Sequence, residues 1–243
     1  IVSMNIDSET LISWGFFGLV SVGFYSLYPI TNYFLEKFSQ KYNNYTLERK
    51  EYILTNVIKS KVLFVISGLF LSTIYDNSLD ILTVRHSSGN YLFWKNISAL
   101  YACTDFIGLI RNKKMETSTI IHHYCVLITY FVISMLDFTK ESIFKAALMY
   151  GAFSALAFMV NFYLGARFLL KKHSKWDIIT KKMSAISYVI ACAFNWTWQM
   201  YYMRVLYINS TNIYNLILQF SIYFVLLFAW ISDDLKLMQF LLN

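Results

Sequence analysis

The sequence predicts an all-α fold: a polytopic transmembrane helical bundle of about seven spans, one N-terminal helix followed by a six-helix core. Three observations predict it. Of 243 residues, 57% are hydrophobic and only 14% charged, with a mean hydropathy of +0.47 and a single proline, Pro29, which leaves too little polar material to clothe a water-soluble domain of this length. Apolar stretches near the roughly 20 residues that a helix needs to cross a bilayer recur along the chain. Lys and Arg crowd onto alternate connections between those stretches.

Taken in order, the first stretch covers about 10–31. It is too long and too aromatic for a secretory leader. A polar segment over 35–55 follows, with Glu36, Lys37, Glu48, Arg49, Lys50 and Glu51. It reads either as an amphipathic helix on the membrane surface or as a solvated connector. The next stretches are 56–75 and 91–111, then a basic turn, Arg111-Asn112-Lys113-Lys114, and a stretch over 116–136. Those at 142–169 and 179–206 are long enough to tilt or break. The last is 212–234, ahead of a short tail. This divides the chain into 1–49, a helix with its connector, and 50–243, the remaining bundle. An aromatic content of 19% suits lipid-facing and interfacial rings, and Trp14, Trp94 and Trp230 read as interfacial anchors. Cys103, Cys125 and Cys192 fall inside the stretches and read as small packing residues.

The charges orient the chain. Lys37, Lys41, Arg49, Lys50, Lys59 and Lys61 share the first connection, Arg111, Lys113 and Lys114 the third, and Arg167, Lys171, Lys172, Lys175, Lys181 and Lys182 the fifth, with Lys236 in the tail. The opposite side holds Arg85, Lys95, Lys140, Lys145 and Arg204. The positive-inside rule then sets the N-terminus in the lumen and the C-terminus in the cytosol, which requires an odd number of spans. The net charge of +7 belongs to loops facing anionic lipid. No basic stripe interleaved with aromatics lies outside the stretches, so no nucleic acid is expected as a partner.

Ionisable groups inside the apolar stretches carry the functional signal, because each costs about 2.5–3.5 kcal/mol or more at mid-membrane unless something uses it. His122 and His123 are adjacent within such a stretch. With about 1.5 Å of rise per residue, His122 lies about 10 Å beyond Met115, and Asp105 about 9 Å inside Arg111 on the preceding helix. The short turn makes the two helices antiparallel, so carboxylate and imidazole share a depth, in the base-and-orienter arrangement that general-base chemistry needs. Adjacent helical residues diverge by about 100°, so one imidazole is expected to serve a cavity and the other to pack against a neighbouring helix. Asn161, Asn195, Trp198 and Gln199 are the candidate lining residues for substrate, with interhelical hydrogen bonding as their competing role. No metal or other cofactor is expected: four histidines, with His86 and His173 in loops on opposite sides, are too few for a histidine-box oxygenase.

The run Tyr101-Ala102-Cys103-Thr104-Asp105, the basic turn, Met115, Ile121-His122-His123 and Tyr130 resembles the core of the TLC domain, shared by ceramide synthases, translocation-associated membrane proteins and a ceroid-lipofuscinosis protein. The resemblance spans roughly 50–237. It implies a multi-pass protein of the endoplasmic reticulum that works on membrane lipids. A second acidic signature of ceramide synthases would fall near Met149 to Ser154, yet no Asp or Glu occurs between Ser142 and Trp176. The stretch from Ser154 to Asn161 is closer to the non-synthase branch.

Two functions follow from the resemblance. One is acyl transfer to a lipid amine or hydroxyl, with His122 or His123 as base or transient acyl carrier, Asp105 orienting it, and acyl-CoA as co-substrate. The other is a non-catalytic protein that binds a lipid or a cargo protein, or pairs as a homodimer, and so adjusts membrane composition or export. A rhodopsin-like pigment is excluded, since 212–232 holds no lysine for a Schiff base.

Overall fold

The protein, seen as a computed structural model, is described over residues 6–86, 91–210 and 212–243. Among the described residues it is all-α except for one two-stranded ribbon. The helices are α1 (Ser8–Phe38), α2 (Gln40–Asn43), α3 (Leu47–Tyr75), α4 (Tyr91–Arg111), α5 (Thr117–Ser134), α6 (Phe144–Ala155), α7 (Phe158–Leu169), α8 (Lys175–Asn209) and α9 (Ile213–Leu242). Strands β1 (Leu79–Asp80) and β2 (Arg85–His86) form an antiparallel hairpin between α3 and α4. Four of these helices, α1, α3, α5 and α9, are long and apolar enough to cross a membrane, or five spans if the bent pair α6 and α7 counts as one. These are the helices of an integral membrane protein. The other two long helices, α4 and α8, carry inward-facing polar side chains such as Lys95, Asp105, Asn195 and Gln199, which lower their mean hydropathy.

Local chemistry sets the helix starts. Asp7 caps α1 by accepting from the Thr10 amide at 2.8 Å, Thr46 caps α3 and Asn212 caps α9. At α8 the Ser174 hydroxyl accepts from the Asp177 amide, while the Asp177 carboxylate accepts from the His173 amide at 2.9 Å, a reciprocal cap. The polar segment 35–55 forms no separate surface helix. It is split between the ends of α1 and α3, which run past their apolar cores, with the single-turn α2 between them.

Of the two stretches long enough to break, only the fifth does. Helices α6 and α7 meet at Leu156 and Ala157 with a bend of 44°, whereas α8 runs unbroken for 35 residues. Carbonyls freed at a break within the bundle must find donors inside the protein. Serines from the flanking helices supply them: Ser67 donates to the Ala155 carbonyl at 2.6 Å, Ser60 to Phe158 at 3.0 Å and Ser184 to Met159 at 2.7 Å. Along the same face α3 and α7 lie so close that a Cβ added to Gly165 would stand 2.9 Å from Val57 Cγ2 and 3.2 Å from the Ile53 carbonyl oxygen.

The main core gathers α3, α4, α6, α8 and α9 around Phe70, Trp94, Met149, Tyr202, Tyr223 and Trp230. Trp94 and Trp230 are therefore buried, not interfacial. Trp230 tilts against Tyr150 at 4.8 Å, and Trp94 packs edge-on to Phe70 and Phe93. Helix α1 lies along α4 and is tied to α5: Thr10 donates to the Ser134 carbonyl, Trp14 to the Ser134 hydroxyl, and Tyr130 to the Ser13 carbonyl. Its N-terminal turn also closes over Lys95, whose buried ammonium lies 3.6 Å from Asp7 and 3.5 Å from Glu9.

Candidate functional site

A cavity of about 540 Å³ enters the bundle between α3, α4, α5, α7 and α9. Asn56 and Lys59 of α3, Tyr101 and Asp105 of α4, His122 and His123 of α5, and Asp233 and Asp234 of α9 line its inner part. The break between α6 and α7 adds Ser154 and Ala157, and Asn161 stands on the α7 wall. Lys114, Glu116, Arg167 and Lys236 stand at its mouth. Behind it lies a narrow apolar chamber of about 50 Å³, walled by Ile97, Val126, Tyr130, Leu148 and Trp230. Tyr101 and His122 line both spaces and so form the partition between them.

The expected neighbourhood of Asp105 and the histidine pair is present. His123 Nδ1 lies 3.1 Å from Asp105 Oδ1, with Asp105 fully buried. The division of labour expected for the two imidazoles is corrected, since both line the cavity. Their rings stand at 86° to one another with centroids 5.6 Å apart. The divergence of adjacent helical residues remains, but the cavity is wide enough to receive both.

Each imidazole has its own carboxylate. His122 Nδ1 stands 3.5 Å from Asp233 Oδ2, and Asp233 in turn accepts from the Thr119 hydroxyl at 3.2 Å. The Lys59 ammonium donates to the same oxygen of Asp105, Oδ1, that His123 approaches. The imidazole contacts are close without being in line: neither Nδ1, nor Asp105 Oδ2, makes an aligned hydrogen bond. Catalytic hydrogen bonds commonly tighten only when substrate is bound. A carboxylate at Nδ1 leaves Nε2 as the nitrogen free to exchange a proton or to carry a group.

Lys59, Asp233 and Asp234 have no place in the site expected from sequence. Lys59 reads there as part of a cytosolic loop, and the two aspartates as the boundary of the last stretch. The signal was present: a lysine within an apolar helix, and two carboxylates directly after Phe228-Ala229-Trp230-Ile231-Ser232, are ionisable groups at a depth where charge is costly. Asp234 is buried and accepts from two phenols, Tyr150 and Tyr188, the latter at 2.7 Å. The stretch from Ser142 to Trp176 lacks acids, but α9 supplies two carboxylates to the same space from elsewhere in the chain.

The remaining candidates divide. Asn161 lines the cavity. Asn195, Trp198 and Gln199 do not: Asn195 donates to the Tyr150 carbonyl at 3.3 Å, Trp198 to Ile81 at 3.0 Å, and Gln199 to Ala146 at 3.1 Å while accepting from Tyr223 at 2.7 Å. These groups hold α8 to α6, to the hairpin and to α9.

Asp105, His122 and His123 offer ligand atoms within 4.8 Å of one another, close enough to share one ion. The Lys59 ammonium opposes that use, since it competes for the carboxylate lone pairs and repels a dication. The donor set suits proton handling better than metal binding. No family model matches the chain, and no curated protein or solved structure is similar enough to count as a relative.

Proposed function

We propose that the chain is a TLC-type protein of the endoplasmic reticulum that transfers an acyl group to a lipid amine or hydroxyl within the α3–α9 cavity. In this reading it has seven spans, α4, α8 and the bent α6–α7 pair among them, with a lumenal N-terminus and a cytosolic C-terminus. The cavity mouth lies at the end of the bundle that bears Lys114, Arg167 and Lys236, in agreement with a cytosolic opening. One observation carries the chemistry: two intramembrane imidazoles face a single cavity, each backed by a carboxylate, Asp105 for His123 and Asp233 for His122.

With acyl-CoA as co-substrate, the step balances as follows. The imidazole removes the proton of the acceptor hydroxyl or amine, the acceptor atom bonds to the thioester carbon, the C–S bond breaks, and the departing thiolate takes the proton from the imidazolium. Asp233 stabilises the imidazolium that forms in between. The apolar chamber behind His122 suits the start of a hydrocarbon chain.

A second reading is a protein that binds a lipid or a cargo protein without transforming it. The Lys59–Asp105 ion pair favours it, because a neutralised carboxylate is weaker support for a base. Untargeted lipidomics separates the two. The full chain, His122→Ala and His123→Ala are expressed in a host lacking its own ceramide synthases. Acyl transfer predicts a lipid change that both variants lose at equal protein abundance, whereas profiles unaltered by the substitutions overturn it.

A further inference from the structure

The mouth of the cavity has a composition of its own. Arg167 of α7 and Lys236 of α9 line both the cavity and an outer groove of about 610 Å³, which Lys181 of α8 and Phe240 help to complete. No acidic side chain lines the groove. Among the described residues, none of these three cations is paired with a carboxylate, although nearby Lys50, Arg111 and Lys114 each have a glutamate, Glu36, Glu51 and Glu48.

Arg167 is held in a fixed pose with donor capacity to spare. Its guanidinium lies 4.7 Å over the rings of Phe168 and Phe240 and 5.8 Å over Tyr52, and it donates to the Tyr52 hydroxyl at 3.4 Å. Its Nε is buried without an acceptor. A guanidinium clamped between aromatic faces has little rotamer freedom left to lose, and its fork of donors matches the oxygens of a phosphate. Partial burial of the charge without a counter-ion is costly, and an anion between Arg167 and Lys236 would relieve that cost.

We infer that the mouth is a phosphate-binding site for a membrane glycerolipid, with the phosphate seated between Arg167 and Lys236 and Lys181 outside it. Spacing selects this ligand. Lys236 follows Asp233 by less than one helical turn, about 4.5 Å of rise, and Asp233 contacts His122. A lysoglycerophospholipid carries its free glycerol hydroxyl only a few bonds from its phosphate, so a headgroup held at Lys236 brings toward the imidazoles the hydroxyl that acyl transfer needs. The thioester of an acyl-CoA is a whole pantetheine arm from its diphosphate, too far for a phosphate anchored so close to the reacting centre. The inference names the lipid that enters the cavity, and it rests on the acyl-transfer reading only for what happens to that lipid once bound.

The test uses the purified full chain in an uncharged detergent, with the thermal unfolding midpoint followed against dioctanoyl phosphatidic acid, dioctanoylglycerol, inorganic phosphate and CoA. Phosphatidic acid is expected to raise the midpoint at concentrations where dioctanoylglycerol and inorganic phosphate do not. Arg167→Gln and the exposed Lys236→Gln should each weaken that response about tenfold or more, the consequence of losing one charge-assisted contact. Lys172→Gln, at an exposed site outside the groove, should leave it intact. The response is read without acyl-CoA, so a failure of acyl transfer is distinguished from a failure of lipid binding. An equal response to dioctanoylglycerol, no response to phosphatidic acid, or no loss in the Arg167 and Lys236 variants overturns the site. CoA binding more tightly than phosphatidic acid, with the same dependence on Arg167, overturns the choice of a lipid phosphate.

Discussion

Asp233 Oδ2 stands 3.5 Å from His122 Nδ1 across the α5–α9 contact, joining two residues that lie far apart in the chain. If the imidazole works as a base, this carboxylate orients it. Asp233→Asn keeps the shape and removes the charge, and should slow lipid conversion about 10²-fold while abundance and unfolding midpoint stay near those of the parent. Conversion measured at matched protein levels checks this, and an unchanged rate would assign Asp233 to packing.

Lys59 and Asp105 form an ion pair with the carboxylate fully buried and the lysine side chain 13% exposed. Breaking such a pair from one side strands a charge and costs about 3–5 kcal/mol. Lys59→Met alone should therefore lower the unfolding midpoint in detergent strongly, and the double variant Lys59→Met/Asp105→Leu should recover much of the loss. The coupling between the two substitutions, read as a double-mutant cycle, measures the interaction.

Asp234 is satisfied by two phenols, Tyr150 and Tyr188. Tyr188→Phe removes one of the two hydrogen bonds to this carboxyl group and should cost about 0.5–1.5 kcal/mol in an equilibrium unfolding titration, with little loss of packed volume. A change much smaller than this would mean that the carboxylate finds water or another donor from the cavity.

Gly165 lets α7 lie directly on α3. Gly165→Ala drives a methyl group against both the Val57 side chain and the Ile53 carbonyl oxygen, and should destabilise by about 1–3 kcal/mol. Val57→Ala relieves only the first contact, so the double variant should regain part of the loss. Thermal unfolding of the two variants provides the comparison.

At the N-terminus of α1, the backbone and side-chain hydrogen bonds from Thr10 hold the Asp7 carboxyl below the ordinary carboxylate range, and Lys95 adds to the effect. The lowered pKa sets the sign. The contribution of Asp7 to stability is complete above the unfolded-state pKa of an aspartate and is lost as acidification passes through the lower folded value. Asp7→Asn should lower the unfolding midpoint at neutral and alkaline pH, where the carboxylate contributes, and flatten the acid part of the profile, leaving the two proteins closest at the acid end.

Much of this arrangement could be read along the chain. The apolar stretches are helical, and the seventh extends through the two aspartates, which inward-facing partners make tolerable. Asp105 and His123 meet because a short basic turn folds α4 back on α5, so depth along each helix can be counted from a shared origin. Trp94, Trp230 and Lys59 could not be assigned in this way, since a ring or an ammonium near the end of an apolar stretch has the same local signature whether it faces headgroups, lipid or a protein interior.

By itself, the sequence determined that the chain is helical and integral to a membrane, and that imidazoles and a carboxylate lie together at one depth. Composition and helical rise are local properties, and they suffice for those statements. Tertiary packing alone decided that α9 brings Asp233 to His122, that α3 turns Lys59 onto Asp105, that both imidazoles share one cavity, and that Arg167, Lys181 and Lys236 converge at its mouth. Those contacts depend on how helices remote in sequence rotate and lean against each other, which the periodicity of a single helix does not encode.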